Sequence, residues 1–125
     1  HLGFEDYFQL EGHSEEEKAV RFLVGVSPAL LHRTYVVDPT QLDFSARRAP
    51  STPMGVALAS GMAGCEVLKI LLKRGSVLAA PWGLQFDGYR NRFTKTFRPG
   101  GNRNPLQLLM LAFAKRRLGA ALRRR

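Results

Sequence analysis

The sequence predicts an α/β fold with a long central helix, a β-hairpin and a basic C-terminal helix. Three observations point there. Residues 53–74 repeat apolar side chains at three- and four-residue spacing, the period of a helix. Arg92-Phe93-Thr94-Lys95-Thr96-Phe97 alternates polar with aromatic or β-branched side chains, the period of a half-buried strand. Asn104-Pro105 sets a capping residue ahead of a proline at the head of an apolar run.

Bulk properties set the limits. A chain of 125 residues fits one small domain, large enough to bury a core. With 45% apolar and 23% charged residues, an ordinary globular composition, disorder of the whole chain is not expected. Cys65 is the single cysteine, so neither an internal disulfide nor a C-x-x-C zinc site can form, and a reducing, cytoplasmic location is expected. The uncharged stretch Ala49–Cys65 falls short of the ~20 apolar residues of a membrane span, and no span is expected. The first residue is His1 and no signal-like segment opens the sequence, which is expected of a fragment or a processed chain.

Charge is unevenly placed. Residues 1–43 carry three bases against eight acids, a net of −5; residues 44–125 carry 16 bases and only Glu66 and Asp87, a net of +14. Such polarity fits nucleic acid or an acidic membrane surface, and fits equally a basic half packed on an acidic partner.

Residues 1–13 read as an N-terminal segment anchored by Phe4, Tyr7 and Phe8. Ser14 followed by Glu15, Glu16 and Glu17 reads as a helix start, with a hydroxyl cap, acids at the positive end of the dipole and capping-box spacing. That helix is expected to reach about Val24, bury Val20, Phe22 or Leu23, and stop before Gly25. A short turn or helix is expected over Pro28–Leu31, a short strand over Thr34–Val37, and a loop over residues 39–52.

Ser51-Thr52-Pro53 offers a cap and a proline at the first helical position. Met54, Leu58, Met62, Cys65, Leu68 and Leu72 form the apolar stripe; Lys73 and Arg74 suit the negative end, and Gly75 is a left-handed terminator. Ala57, Ser60, Gly61 and Gly64 make a second, small-residue face. Glycine inside a helix costs about 1 kcal/mol relative to alanine, so this face is expected to lie close against a sheet or another helix.

A hairpin is expected from about 83–88 and 91–98, then a loop over Arg98–Arg103. In the last helix Leu106, Leu109, Met110 and Phe113 form the expected buried stripe. Arg117 and Arg124 continue the same stripe, so its end is expected to fray or to meet something acidic.

Candidate chemistry is sparse, and no residue is assigned a catalytic, cofactor-binding or metal-binding role. His1, His13 and His32 lie far apart, and none pairs with an acid at metal-ligand spacing. No H-E-x-x-H, Walker or dinucleotide glycine motif occurs. Cys65 lies on the apolar stripe and reads as a buried, inert thiol rather than a nucleophile. Asn102-Arg103-Asn104-Pro105 could hold an anion at a helix start, or form a capped loop whose Arg103 pairs with a carboxylate. Lys115-Arg116-Arg117 and Arg123-Arg124-Arg125 form a basic tail without interleaved aromatics, which reads as a solvated face before a specific nucleic-acid site.

The stretch from Ser51-Thr52-Pro53 through Gly61-Met62-Ala63-Gly64-Cys65-Glu66-Val67-Leu68-Lys69-Ile70-Leu71-Leu72 resembles the helix after the crossover loop in the ThiF/MoeB/HesA family, relatives of ubiquitin-activating enzymes. Gly25-Val26-Ser27-Pro28, Ala49-Pro50-Ser51-Thr52, Ala80-Pro81-Trp82, Phe86-Asp87 and Gly100-Gly101-Asn102-Arg103-Asn104-Pro105 resemble pieces of a ThiF-like adenylyltransferase subgroup, in order, over residues 3 to about 108. The resemblance implies the C-terminal portion of a Rossmann-like domain, with residues 1–103 its incomplete part and 104–125 a basic helix. It implies ATP and Mg for the intact parent, with the glycine-rich ATP loop upstream of His1, and adenylation of the C-terminus of a small carrier protein. The implied partners are the N-terminal ATP-binding part, and a carrier protein or a second copy. Residues 39–52 lack the cysteine that many relatives carry in the crossover loop, and the paired C-x-x-C motifs are missing; thioester transfer is therefore not expected.

Two further readings stay open beside it. One is a small basic module acting through its C-terminal helix on nucleic acid or an anionic surface; the other is a dimerising structural domain.

Overall fold

The computed structural model describes residues 1–31 and 51–122, with side chains described to Arg117. The expected strand at Thr34–Val37, His32, most of the expected loop 39–52, and Arg123, Arg124 and Arg125 lie outside the described residues. Elements run in the order α1 (Phe4–Phe8), α2 (Glu15–Val26), α3 (Pro53–Leu72), β1 (Trp82–Asp87), β2 (Arg92–Phe97), a 3-10 turn (Gly101–Arg103) and α4 (Pro105–Leu122). The architecture is mixed α and β. β1 and β2 form a two-stranded antiparallel sheet with Trp82 opposite Phe97 and Asp87 opposite Arg92.

The N-terminal segment is helical, since Phe4–Phe8 closes a short turn that ends on left-handed Gln9. Ser14 caps α2, its hydroxyl accepting from the Glu17 amide at 3.3 Å. The Glu17 carboxylate turns to His13, Arg21 and Lys115, so the reciprocal half of a capping box is replaced by ion pairs. α2 continues through Gly25 to Val26, beyond the expected end. It buries Val20 and Val24, while Phe22 stays exposed.

The core is small. Val20 and Val24 of α2 pack on Leu111 of α4, with Met110 and Ala114 half-buried beside them. This corrects the expected face of α4: Gln107 and Leu111 are buried, whereas Leu106, Leu109 and Phe113 are exposed. Gln107, Leu111 and Ala114 share one side of the helix by their spacing. Gln107 faces inward because its Nε2 donates to the Val24 carbonyl at 3.3 Å. A pattern that scores glutamine as polar puts the stripe on the wrong side.

Polar side chains close the end of α2. The last carbonyls of a helix have no partner within it. Here Ser27 N–H donates to Leu23 O, Gln107 to Val24 O and Tyr7 Oη to Gly25 O. Asn102, fully buried, donates through Nδ2 to both Phe8 O (2.8 Å) and Arg21 O (3.0 Å). Close backbone approach makes this possible. Gly101, at φ +55, leaves no room for a Cβ against the Tyr7 backbone, and a Cβ on Gly25 would meet the Phe8 ring at 2.6 Å.

α3 departs most from expectation. It forms as the capping signals predict, with the Thr52 hydroxyl accepting from Gly55 N–H and proline in the first turn. It ends at Leu72, earlier than expected, because Lys73 itself turns left-handed at φ 49 and Arg74 N–H reaches back to Lys69 O. None of its residues is buried. The small-residue face was expected to lie on a sheet or helix; a Cβ at Gly61 or Gly64 would meet nothing within 4 Å among the described residues. Cys65, expected inside, is exposed for the same reason. By length and composition alone this 20-residue helix could cross a membrane, where no span was expected.

Candidate interaction surface

The hairpin is turned inside out. Gly83, Gln85 and Asp87 alternate with Trp82, Leu84 and Phe86 along β1, and opposite them Thr94 and Thr96 alternate with Phe93, Lys95 and Phe97. Residues two apart in a strand share a face. The polar face is the one turned inward: Asp87 and Thr96 are buried, and Gln85 Oε1 accepts from the Ala29 amide at 2.7 Å. Arg98 and Arg90 hold the same turn by donating to Pro28 O and Leu31 O. The reason is local: residues 28–31 present backbone groups that need polar partners.

The aromatic face is left outward. Trp82, Phe86, Phe93 and Phe97 are each between 42% and 56% exposed. Trp82 and Phe97 pack with centroids 4.5 Å apart, and the Lys95 ammonium lies 4.3 Å above the indole. At the turn Tyr89 is 84% exposed. The surface runs on toward α3, where a methyl group at Gly88 would lie 3.4 Å from Leu58 Cδ1.

α3 is tied to the chain by one side. Glu66 pairs with Lys69 at 2.6 Å and accepts from the Leu78 amide at 3.4 Å. These bonds, the lysine's first, hold the Glu66 carboxyl below its usual range. Met54, Val67, Leu68, Ile70, Leu71 and Leu72 are exposed around the rest of the helix.

Electrostatics at the other end centre on Glu17. Its Oε1 lies 2.6 Å from Lys115, 3.2 Å from His13 and 3.3 Å from Arg21. The hydrogen bond from Lys115 is the main cause that lowers its pKa. Burial pushes the Tyr7 phenol up, partly opposed by Arg98.

The residues singled out in sequence are therefore dispersed. Asn102 is part of the polar closure of α2, and Asn104 Oδ1 already accepts from the Leu106 amide at 3.1 Å, so residues 102–105 form the capped loop. Arg103 is exposed and has no carboxylate partner among the described residues. In the tail, Lys115 does meet an acid, and Arg117 lies 5.3 Å from the Phe113 ring centroid. No group of three or more His, Cys, Asp or Glu able to hold a metal occurs among the described residues. The outward aromatic face was missed because alternation fixes only which residues share a face, not which face is covered. No known family, curated protein or solved structure matches this chain.

Proposed function

We propose that this chain is the C-terminal, non-nucleotide part of a ThiF-like adenylating protein, supplying a packing helix and a partner surface to an ATP site built elsewhere. One observation carries the reading. α3 is capped at both ends, apolar on nearly all sides, and bare. A helix that is hydrophobic all round is buried in a larger protein or spans a membrane; the Glu66–Lys69 pair and the small-residue face of α3 favour the protein, and the chain's own hairpin does not cover it. The open side at Gly61 and Gly64 suits the close approach of a sheet, and that sheet has to come from outside the described residues. The family itself rests on the order of the sequence pieces from Gly25 to Pro105.

In this reading ATP and Mg are bound by the upstream part, and the substrate is the terminal carboxylate of a small carrier protein. The test has two arms. The intact parent is expected to catalyse ATP-dependent pyrophosphate exchange with a carboxylate substrate. The 125-residue chain is expected to show no heat of ATP binding; tight binding refutes the reading.

A further inference from the structure

We infer that the outer side of α4 is a contact surface for an anionic lipid bilayer: an apolar strip enters the headgroup region and the arginines behind it meet lipid phosphates. This surface is distinct from α3 and has no part in the adenylating reading. α4 turns one side to α2, with Gln107 and Leu111 buried and Met110 and Ala114 half-buried beside them. The other side carries Leu106, Leu109 and Phe113, which three- and four-residue spacing sets in one strip. Leu109, at its centre, is 67% exposed. Arg116 and Arg117 follow Phe113 by three and four residues, continue the strip and are exposed. The Arg117 guanidinium lies 5.3 Å from the Phe113 ring centroid, so the apolar and cationic parts form one continuous surface.

Charge complementarity names the occupant. No acid follows Asp87 in the sequence, and six of the last eleven residues are Lys or Arg. Lys115 is paired with Glu17 across the α2–α4 contact, whereas Arg116 and Arg117 have no carboxylate partner among the described residues. The helix dipole does not explain them. It favours cations in the last turn, and the last turn of α4 carries none. An apolar strip joined to cations suits the boundary of an anionic bilayer, where Leu and Phe side chains enter by about 5–10 Å. Arginine stems lie along the apolar part while their heads stay among the phosphates. A protein partner fits less well. Protein interfaces carry about one hydrogen bond per 100–200 Å², and the strip from Leu106 through Leu109 and Ala112 to Phe113 offers no side-chain donor or acceptor. A fluid bilayer needs no such register.

The test mixes the 125-residue chain with vesicles of phosphatidylcholine, or of equal parts phosphatidylcholine and phosphatidylserine, and measures the fraction that pellets with them. Binding to the anionic vesicles and little to the neutral ones is expected, weakening as added salt shortens the Debye length. Arg116→Gln combined with Arg117→Gln is expected to weaken binding about thirtyfold, each basic side chain near the surface contributing about fivefold. Leu109→Gln is expected to weaken it about tenfold by withdrawing one apolar side chain from the lipid. Phe93→Ser on the hairpin should change nothing. All of these positions are exposed, so native circular dichroism should be kept. Equal pelleting with neutral vesicles, or binding unmoved by the α4 substitutions, overturns the proposal and assigns the lipid contact to α3. No pelleting with the anionic vesicles overturns it as well, and capture by polyglutamate would then point to an acidic protein.

Discussion

The side-chain amide of Asn102 lies 2.8 Å from the carbonyl oxygen of Phe8, 94 positions away, and the same nitrogen reaches Arg21 O at 3.0 Å. One fully buried asparagine thus joins α1, α2 and the turn before α4. Asn102→Ala is expected to leave two carbonyls short of a donor and to cost about 1–3 kcal/mol, read as a lower midpoint in urea. Gln107→Met is expected to cost less, because it loses a single bond, to Val24 O, and keeps most of the side-chain volume; each of the two variants also removes a buried oxygen that has no partner among the described residues. Equal losses would contradict this account of the polar closure.

Gly101→Ala is expected to destabilise more than a typical surface change. Its φ of +55 is strained for alanine by about 1–2 kcal/mol, and the new methyl would press on the Tyr7 backbone, which cannot swing aside. At Gly12, also at positive φ but with nothing within 4 Å, alanine should show the conformational cost alone. Paired denaturation curves separate the two terms.

Acid should loosen the α2–α4 contact. Glu17 is held below its ordinary pKa by Lys115, with His13 and Arg21 assisting. A depressed carboxylate contributes stability above its unfolded pKa and loses it as pH falls through the folded value. Wild-type stability should therefore fall below about pH 4.3, the ordinary glutamate value, more steeply than that of Glu17→Gln. Superimposable pH profiles would remove the ion-pair cluster from the account. At the alkaline end the sign reverses: Tyr7 keeps its proton in the fold, so its contribution is lost as pH rises past about 10.

α3 should be the least protected helix of this chain on its own. Isolated helices are marginal in water, and most helical stability comes from packing. Amide exchange is expected to be slow in α2 around Val20 and Val24 and in α4 around Leu111, and fast along Pro53–Leu72. If α3 is covered by the upstream part that the proposed function calls for, adding that part should slow exchange in α3 alone. Protection in α3 equal to that of α2 without any addition would show that the bare surface is an illusion of the monomer.

Local signals were legible wherever the cause is local. Ser14 and Thr52 cap helices as their hydroxyls and spacing require, and the hairpin lies within one residue of its expected bounds because alternation and turn chemistry act between near neighbours. Burial was not legible. Of the expected stripe of α4, Leu106, Leu109 and Phe113 are exposed and only Met110 touches the core; Cys65 is outside, and the glycine face of α3 meets nothing among the described residues. Amphipathic periodicity fixes which residues stand together on a helix or strand. What lies opposite them is set by contacts across 80 or more positions, such as Gln107 with Val24 or Asn102 with Arg21. Those contacts reward a polar group wherever a helix end offers a free carbonyl, and only the tertiary arrangement places that carbonyl.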